Sequence, residues 1–346
     1  MTTLFVLSFI FVFIVYTCIS QNSSLESRLL FITSCESRIN ENGPLRFLNI
    51  SSRALVQHGA SFMNACNGPY ITHISKPKAY LAYITKTLTN YNTDMQSNIH
   101  FLLIDSDTIF SVSEIKTLWS IYDNIRGVKD IVVSSEQNCW VGGPCTQQDI
   151  RQYYNNTSSL STISPFINSG AIMGSALSLQ TMLTYILDNE KNYWSNKTAG
   201  SSFFCDQHAV AEYASTFPYL ISVDYYQQLV GSFQVLSPPG VRVRGERTKA
   251  DTNTTIVHTK TCKGQTGDAI IGCRVLTNKF SSYNTLYHNN TMCTLQRRYD
   301  MRAPYADEMR MLSTTPAIWH GNGDRAMKAI YKRYAENIVT CINRRK

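Results

Sequence analysis

Apolar residues in this chain fall into short unbroken runs, separated by stretches where they recur every three or four positions. Residues 28–33 (RLLFIT) form the first such run. They predict a buried strand, bounded by a polar loop over 34–44. Residues 45–58 place Leu45, Leu48, Leu55 and Val56 near helical spacing, so these form the inner face of a helix. A second helix is expected over 78–88. Residues 99–104 (IHFLLI) predict a strongly apolar strand that runs straight into Asp105-Ser106-Asp107. A helix over 114–125 and a buried strand over 130–134 (DIVVS) follow. This alternation predicts an α/β fold with a mainly parallel central sheet flanked by helices.

The second half is less regular. Residues 163–177 are rich in small side chains and contain Asn168-Ser169-Gly170 and Gly174. Helices are expected over 179–187 and 206–213. Beyond Pro238-Pro239-Gly240 the periodicity breaks down, and the stretch carries Cys262 and Cys273. It reads as a disulfide-pinned insertion over about 237–313 within one domain, residues 21–346. An amphipathic helix over 327–344 closes the chain. No internal repeat is visible.

The N-terminal run from Leu4 to Tyr16 has the length of a signal-peptide core, and Cys18-Ile19-Ser20 provides small residues for cleavage after Ser20. Residues 1–20 are thus expected to be a signal peptide. A membrane association is expected only if that segment stays uncleaved. Sequons at Asn22, Asn49, Asn155, Asn156, Asn196, Asn253 and Asn289 fit the same route. So do the 10 cysteines, none of them in a C-x-x-C pair. The endoplasmic-reticulum lumen or secretion is the expected location. A net charge of +8 favours an anionic ligand such as a nucleotide diphosphate, or serves solubility alone. No basic run interleaved with aromatics points to nucleic acid.

Candidate chemistry begins at Asp105-Ser106-Asp107. Carboxylates at the end of a buried strand can hold a hard divalent cation, which can neutralise a departing diphosphate. The bland reading is a polar turn. In Trp319-His320-Gly321-Asn322-Gly323-Asp324, an imidazole is presented beside glycines that let backbone approach a ligand. A hydrogen-bonded turn would look the same. Glu136 follows a buried strand as Asp105 does, and Trp140 offers a face for a sugar ring; a helix cap and a buried aromatic are the alternative. Asn168-Ser169-Gly170 supplies amide and hydroxyl groups or only a tight turn. Asp206 is a site carboxylate or a helix cap. There is no G-x-S-x-G, Walker loop, H-E-x-x-H or G-x-G-x-x-G.

In order, these segments resemble the glycosyltransferase domain of the procollagen lysyl hydroxylase/glycosyltransferase family, a type-A glycosyltransferase fold. Residues 28–35 are similar to its first strand and nucleotide loop, and 45–55 to its first helix. Residues 76–81 sit where the family has a Gly-Gly-Gln-Lys loop, with Lys78 matching the lysine. Residues 101–107 match the metal-binding strand, and 134–140 resemble Ser-Ala-Glu-x-x-Cys-Trp. Residues 166–174 are close to the Asn-Ser-Gly-Gly segment. Asp206-Gln207 falls where an acidic run ends in Asp-Gln, and 316–323 match a His-Gly-Asn-Gly block. The similarity spans roughly 28–235 and 314–340.

The resemblance implies a metal-dependent hexosyltransferase using UDP-galactose or UDP-glucose. Its acceptor would be a glycoprotein or collagen-like hydroxyl, such as hydroxylysine. Asp105 and His320 would ligate Mn2+, and either Asp107 takes the second acidic role or that ligand is lost. Thr33, Lys78, Ser106, Asn322 and Gly323 would line the nucleotide and diphosphate. Glu136, Trp140, Asn168 and Asp206 would surround donor sugar and acceptor. The chain departs from the family where Asp-Ser-Tyr-Asp becomes Asp105-Ser106-Asp107-Thr108, which removes the uracil-stacking tyrosine. The acidic run shrinks to Asp206, and Gly-Gly-Gln becomes Ser75-Lys76-Pro77. These changes favour a second reading, a catalytically degenerate lumenal scaffold or binding protein that keeps the fold. No His-x-Asp iron triad is visible, so no dioxygenase activity is expected.

Overall fold

The computed structural model describes residues 28–36, 44–66, 72–136, 166–198, 201–232, 285–289, 292–296, 316–321, and 332, 335 and 336. The expected signal peptide, most of the insertion and most of the closing helix lie outside the described residues. Among the described residues, no helix is long and apolar enough to cross a membrane.

The elements run β1 (Leu29–Ser34), α1 (Pro44–Gln57), β2 (Ser61–Asn64), α2 (Ser75–Leu88), α3 (Thr93–Gln96), β3 (Ile99–Ile104) and β4 (Thr108–Phe110). Next come α4 (Ile115–Arg126), β5 (Ile131–Glu136), β6 (Phe166–Ser175), α5 (Ala176–Asp188), a 3-10 turn (Glu190–Tyr193), β7 (Trp194–Thr198), β8 (Ser201–Phe204) and α6 (Asp206–Thr216). Last are β9 (Ile221–Val223), β10 (Val230–Ser232), β11 (Thr285–Asn289), β12 (Met292–Gln296) and β13 (Ile318–His320). The pairs β7–β8 and β11–β12 form separate two-stranded ladders.

The main sheet has the order β2-β1-β3-β6-β5-β9. Strands β2, β1 and β3 pair in parallel, as do β5 and β9. Strand β6 runs against both of its neighbours and is the one reversed member. Layers on both faces explain why β3 is apolar throughout and buried at every position. Ile99, Phe101 and Leu103 join the core under α2, α5 and α6. Leu102 and Ile104 join the opposite core, with Leu48 and Leu55 of α1 and Leu118 and Trp119 of α4. The alternation of strand side chains thus sends one strand into two cores.

The 163–177 segment is where local pattern and structure diverge. Its small residues form a ten-residue strand, β6, because pairing on both edges satisfies a backbone that side chains alone do not mark as β. Its register against β5 jumps from Val133↔Ile172 to Ser134↔Asn168, so Ser169, Gly170 and Ala171 bulge on that side. Bulges bend a strand and re-aim its side chains, and they recur beside functional sites.

A second, three-stranded sheet, β10-β13-β4, sits at the carboxyl end of β3. Strand β13 pairs antiparallel with β4 in the register His320↔Thr108. Cys35 and Cys66, just past the ends of β1 and β2, form a disulfide; Cys205 is buried, and its Sγ accepts from the His208 N–H at 3.4 Å.

Candidate active site

Strand β3 ends at Ile104, and the chain turns through residues 105–107 into β4. The turn is fixed by backbone. The Asp105 N–H donates to the Gly170 carbonyl at 2.8 Å, and the Thr108 hydroxyl donates to the Asp105 carbonyl at 2.7 Å. The Gly321 N–H donates to the Asp107 carbonyl at 2.7 Å, extending the β4–β13 ladder by one bond. That ladder carries His320 across more than two hundred residues of sequence to the acidic turn. Its Nε2 lies 3.3 Å from Asp107 Oδ1 and 3.5 Å from Asp105 Oδ2. One ligand atom from each of the three residues lies within 4.8 Å of the others. A single coordination sphere spans such a set. Gly170 makes room for the imidazole, since a Cβ there would overlap His320 Cε1 and Nδ1.

A buried cation closes the other side. Lys76, in the first turn of α2, reaches Asp105 Oδ1 at 2.5 Å and Asp206 Oδ2 at 2.6 Å. Burial works against its charge, but the two carboxylates outweigh burial and hold the ammonium well above the usual lysine range. Burial likewise works to raise Asp105, yet Lys76 and His320 keep its carboxyl far below the ordinary range. For His320, burial favours the neutral ring, but the Asp105 and Asp107 carboxylates raise it to about 9. Three carboxylates therefore face Lys76 and one imidazolium. When His320 gives up its proton to act as a ligand, the cluster carries two unmatched negative charges. Carboxylate oxygens plus one imidazole, with that charge, suit a divalent metal.

Asp206 opens α6 and faces inward. Its Oδ2 also accepts from Ser169 Oγ at 3.0 Å, and its Oδ1 lies 3.8 Å from His73 Nδ1. Asn168 Oδ1 accepts from the Gly170 N–H at 2.7 Å, and the Ser134 hydroxyl donates to the Asn168 carbonyl at 2.8 Å. Asn168 thus braces the bulge that faces His320. Glu136, fully buried at the end of β5, accepts from Gln207 Nε2 at 2.5 Å.

Of the residues singled out from sequence, Asp105, Asp107, His320, Asp206 and Asn168 gather in one place, with Glu136 linked to them through Gln207. Thr33 lies buried at the end of β1. Its hydroxyl and that of Ser34 have no hydrogen-bond partner among the described residues. Ser106 Oγ donates to Glu36 Oε2 at 2.7 Å. Glu36 is itself held by Asn64, through its N–H at 2.9 Å and its carbonyl at 2.8 Å. Trp140, Asn322 and Gly323 lie outside the described residues.

Lys78 does not enter the site. Its side chain is 57% exposed and meets Glu190 at 3.4 Å. Two residues of helix turn a side chain by about 200°, so Lys76 points in where Lys78 points out. The helix starts at Ser75, three residues before the apolar pattern predicts, with Pro77 in its first turn. Proline is tolerated there, and that signal could have moved the start and brought Lys76 forward. Ser169, Gly170 and Gln207 were read only as members of their motifs, and Glu36 was missed. Nothing local distinguishes them from turn and cap residues.

No model of a known protein family matches the chain, and no curated protein does. Solved structures similar to it include glycosyltransferases. The galactosyltransferase LgtC, solved with donor and acceptor sugar analogues, is 11% identical, with 90% of this chain and 95% of that chain covered and a TM-score of 0.40. A glycosyltransferase involved in glycosylation of the major capsid of PBCV-1 is 17% identical, covering 59% of this chain and 85% of that one, at a TM-score of 0.37. Mouse xyloside xylosyltransferase 1 is 13% identical, covering 59% and 87%, at a TM-score of 0.32.

Proposed function

We propose that this chain is a metal-dependent glycosyltransferase that moves a hexose from a UDP-sugar to a hydroxyl acceptor. The observation that carries the reading is the convergence of Asp105, Asp107 and His320 within one coordination sphere. They meet at the carboxyl end of β3, where ligands bind in sheets of this type. The site's three carboxylates, one lysine and one imidazole suit a divalent cation, for which Mn2+ is our choice. When bound, such a cation supplies electrostatic neutralisation of the diphosphate leaving group.

The chain's own residues would do the rest. Asp105, Asp107 and His320 hold the cation in place. Lys76, already buried and charged, adds fixed positive potential beside the diphosphate without reorganisation. The buried hydroxyls of Thr33 and Ser34 and the carboxylate of Glu36 line the nucleotide side, at the ends of β1 and β2. Asp206 and Asn168 bound the sugar side, and Glu136 with Gln207 stands next to them. The acceptor we propose is a glycoprotein hydroxyl, with hydroxylysine of a collagen-like protein as the specific case implied by the family resemblance. A lumenal or secreted location is part of the proposal, supported by the Cys35–Cys66 disulfide and by the exposed sequon asparagine Asn49.

The test is calorimetric titration of the purified protein with UDP, with and without Mn2+, followed by UDP release from UDP-galactose and UDP-glucose. Binding that requires the metal, and that Asp105→Asn abolishes while leaving the melting temperature within a few degrees, is the expected result. UDP binding that ignores both the metal and Asp105→Asn would overturn the site. Metal-dependent UDP binding with no sugar release from any UDP-hexose would leave the non-catalytic binding protein.

A further inference from the structure

We infer that His73 is a donor-specificity residue, which with Asp206 reads a hydroxyl of the transferred hexose. The inference rests on the nucleotide-sugar reading above and adds to it a side chain outside the motifs that suggested it. His73 lies in the turn that leads into α2, three residues before Lys76. Lys76 joins Asp105 to Asp206 through one ammonium, so the diphosphate side of the site continues without a break into the Asp206 side. A sugar attached to the diphosphate must extend from the first into the second.

On that side Asp206 is already committed through one oxygen only. Its Oδ2 takes both Lys76, at 2.6 Å, and Ser169, at 3.0 Å. Its Oδ1 faces His73 Nδ1 at 3.8 Å. That separation is too long for a hydrogen bond. It is short enough for one hydroxyl to sit beside both groups, donating to the carboxylate and accepting from the ring N–H. A carboxylate beside an imidazole donor is therefore a reader of neutral alcohols, the groups in which hexoses differ. The His73 side chain is 41% exposed while that of Asp206 is 15% exposed. The pair thus has one fixed member and one at the mouth of the site, where a bound sugar would cover it.

The experiment titrates the whole chain, in Mn2+, with UDP, UDP-glucose, UDP-galactose and UDP-xylose, and repeats the series with His73→Ala and His73→Gln. In the wild type, one hexose conjugate should bind more tightly than UDP alone. His73→Ala should reduce that advantage by about tenfold, the worth of one hydrogen bond. UDP itself should bind within twofold of wild type, and His73→Gln, which keeps an N–H donor, should recover part of the loss. A His73→Ala protein that ranks the four ligands as the wild type does would overturn the inference while leaving the nucleotide site standing. Loss of UDP affinity in step with sugar affinity would also overturn it, since His73 would then act on the whole site. Wild type that binds no UDP would sink the functional reading first, and this inference with it.

Discussion

Two buried histidines, one in the first half of β3 and one beside its carboxyl end, respond to burial in opposite ways. His100 sits at the start of β3 between the rings of Trp119, at 5.0 Å, and Tyr122, at 5.9 Å. Burial lowers it to about 4, helped by the nearby Arg28 and Arg126. Two arginines share one carboxylate beside it. Arg28 binds Asp123 through two bonds of 2.9 and 2.7 Å, and Arg126 Nε meets the same carboxylate at 2.8 Å. Arg28 also lies 4.3 Å above the Trp119 ring. His320 is as deeply buried, yet the Asp105 and Asp107 carboxylates raise it to about 9. Burial is common to both, so burial alone does not mark a site. The difference is an excess of acid. The amino end of β3 sets two arginines against one carboxylate, and the carboxyl end leaves negative charge for a ligand to satisfy.

That contrast can be broken from either end. Lys76→Met should have the largest effect on the fold, because it leaves Asp105 and Asp206 buried without their shared cation. Removing one member of a buried ion pair costs roughly 3–5 kcal/mol, read as the loss of unfolding free energy in urea. At the other end, His100 binds a proton only below about 4 when folded, but near pH 6.5 when unfolded. The unfolded state therefore holds more protons between those values, so stability is full above pH 6.5 and falls as the pH drops toward 4. The loss assigned to this residue is about 3 kcal/mol. His100→Phe should flatten that part of the profile in denaturation curves taken from pH 7 to pH 4.

Two smaller effects sharpen the comparison. Gly170→Ala puts a methyl group where His320 lies. The expected cost is about 1–3 kcal/mol from overpacking, with Mn2+-dependent UDP affinity reduced as the imidazole is displaced. An unchanged affinity would mean His320 is not a ligand. Lys78→Ala should change stability by less than about 0.5 kcal/mol, the scale of an exposed ion pair, and should leave UDP binding alone. A large binding defect in Lys78→Ala would move the lysine of the site from 76 to 78.

Much of the fold was written locally. RLLFIT, IHFLLI and DIVVS are strands because each is a run of residues whose side chains must leave water on both faces. Helices α1, α4 and α5 follow the spacing of their apolar residues. Asp105 and Asp107 could be picked out because they directly follow so apolar a strand, although a polar turn would give the same local pattern. The direction of β6 could not be read, since its small residues suit a turn as well as a strand and only pairing with β3 and β5 decides between them. Nor could the choice of Lys76 over Lys78, which depends on where α2 begins and how it is rotated against Asp105.

The sequence by itself therefore determined which segments are buried, which are periodic and where acids end a strand, because these depend on residues a few positions apart. The tertiary structure alone decided that His320 meets Asp107, that Lys76 links Asp105 to Asp206, and that Gly170 yields space to an imidazole. Each of these is a contact between segments far apart along the chain, set by strand order and register. Hydrophobic pattern constrains which face a side chain takes, but it carries no information about which distant strand will lie beside it.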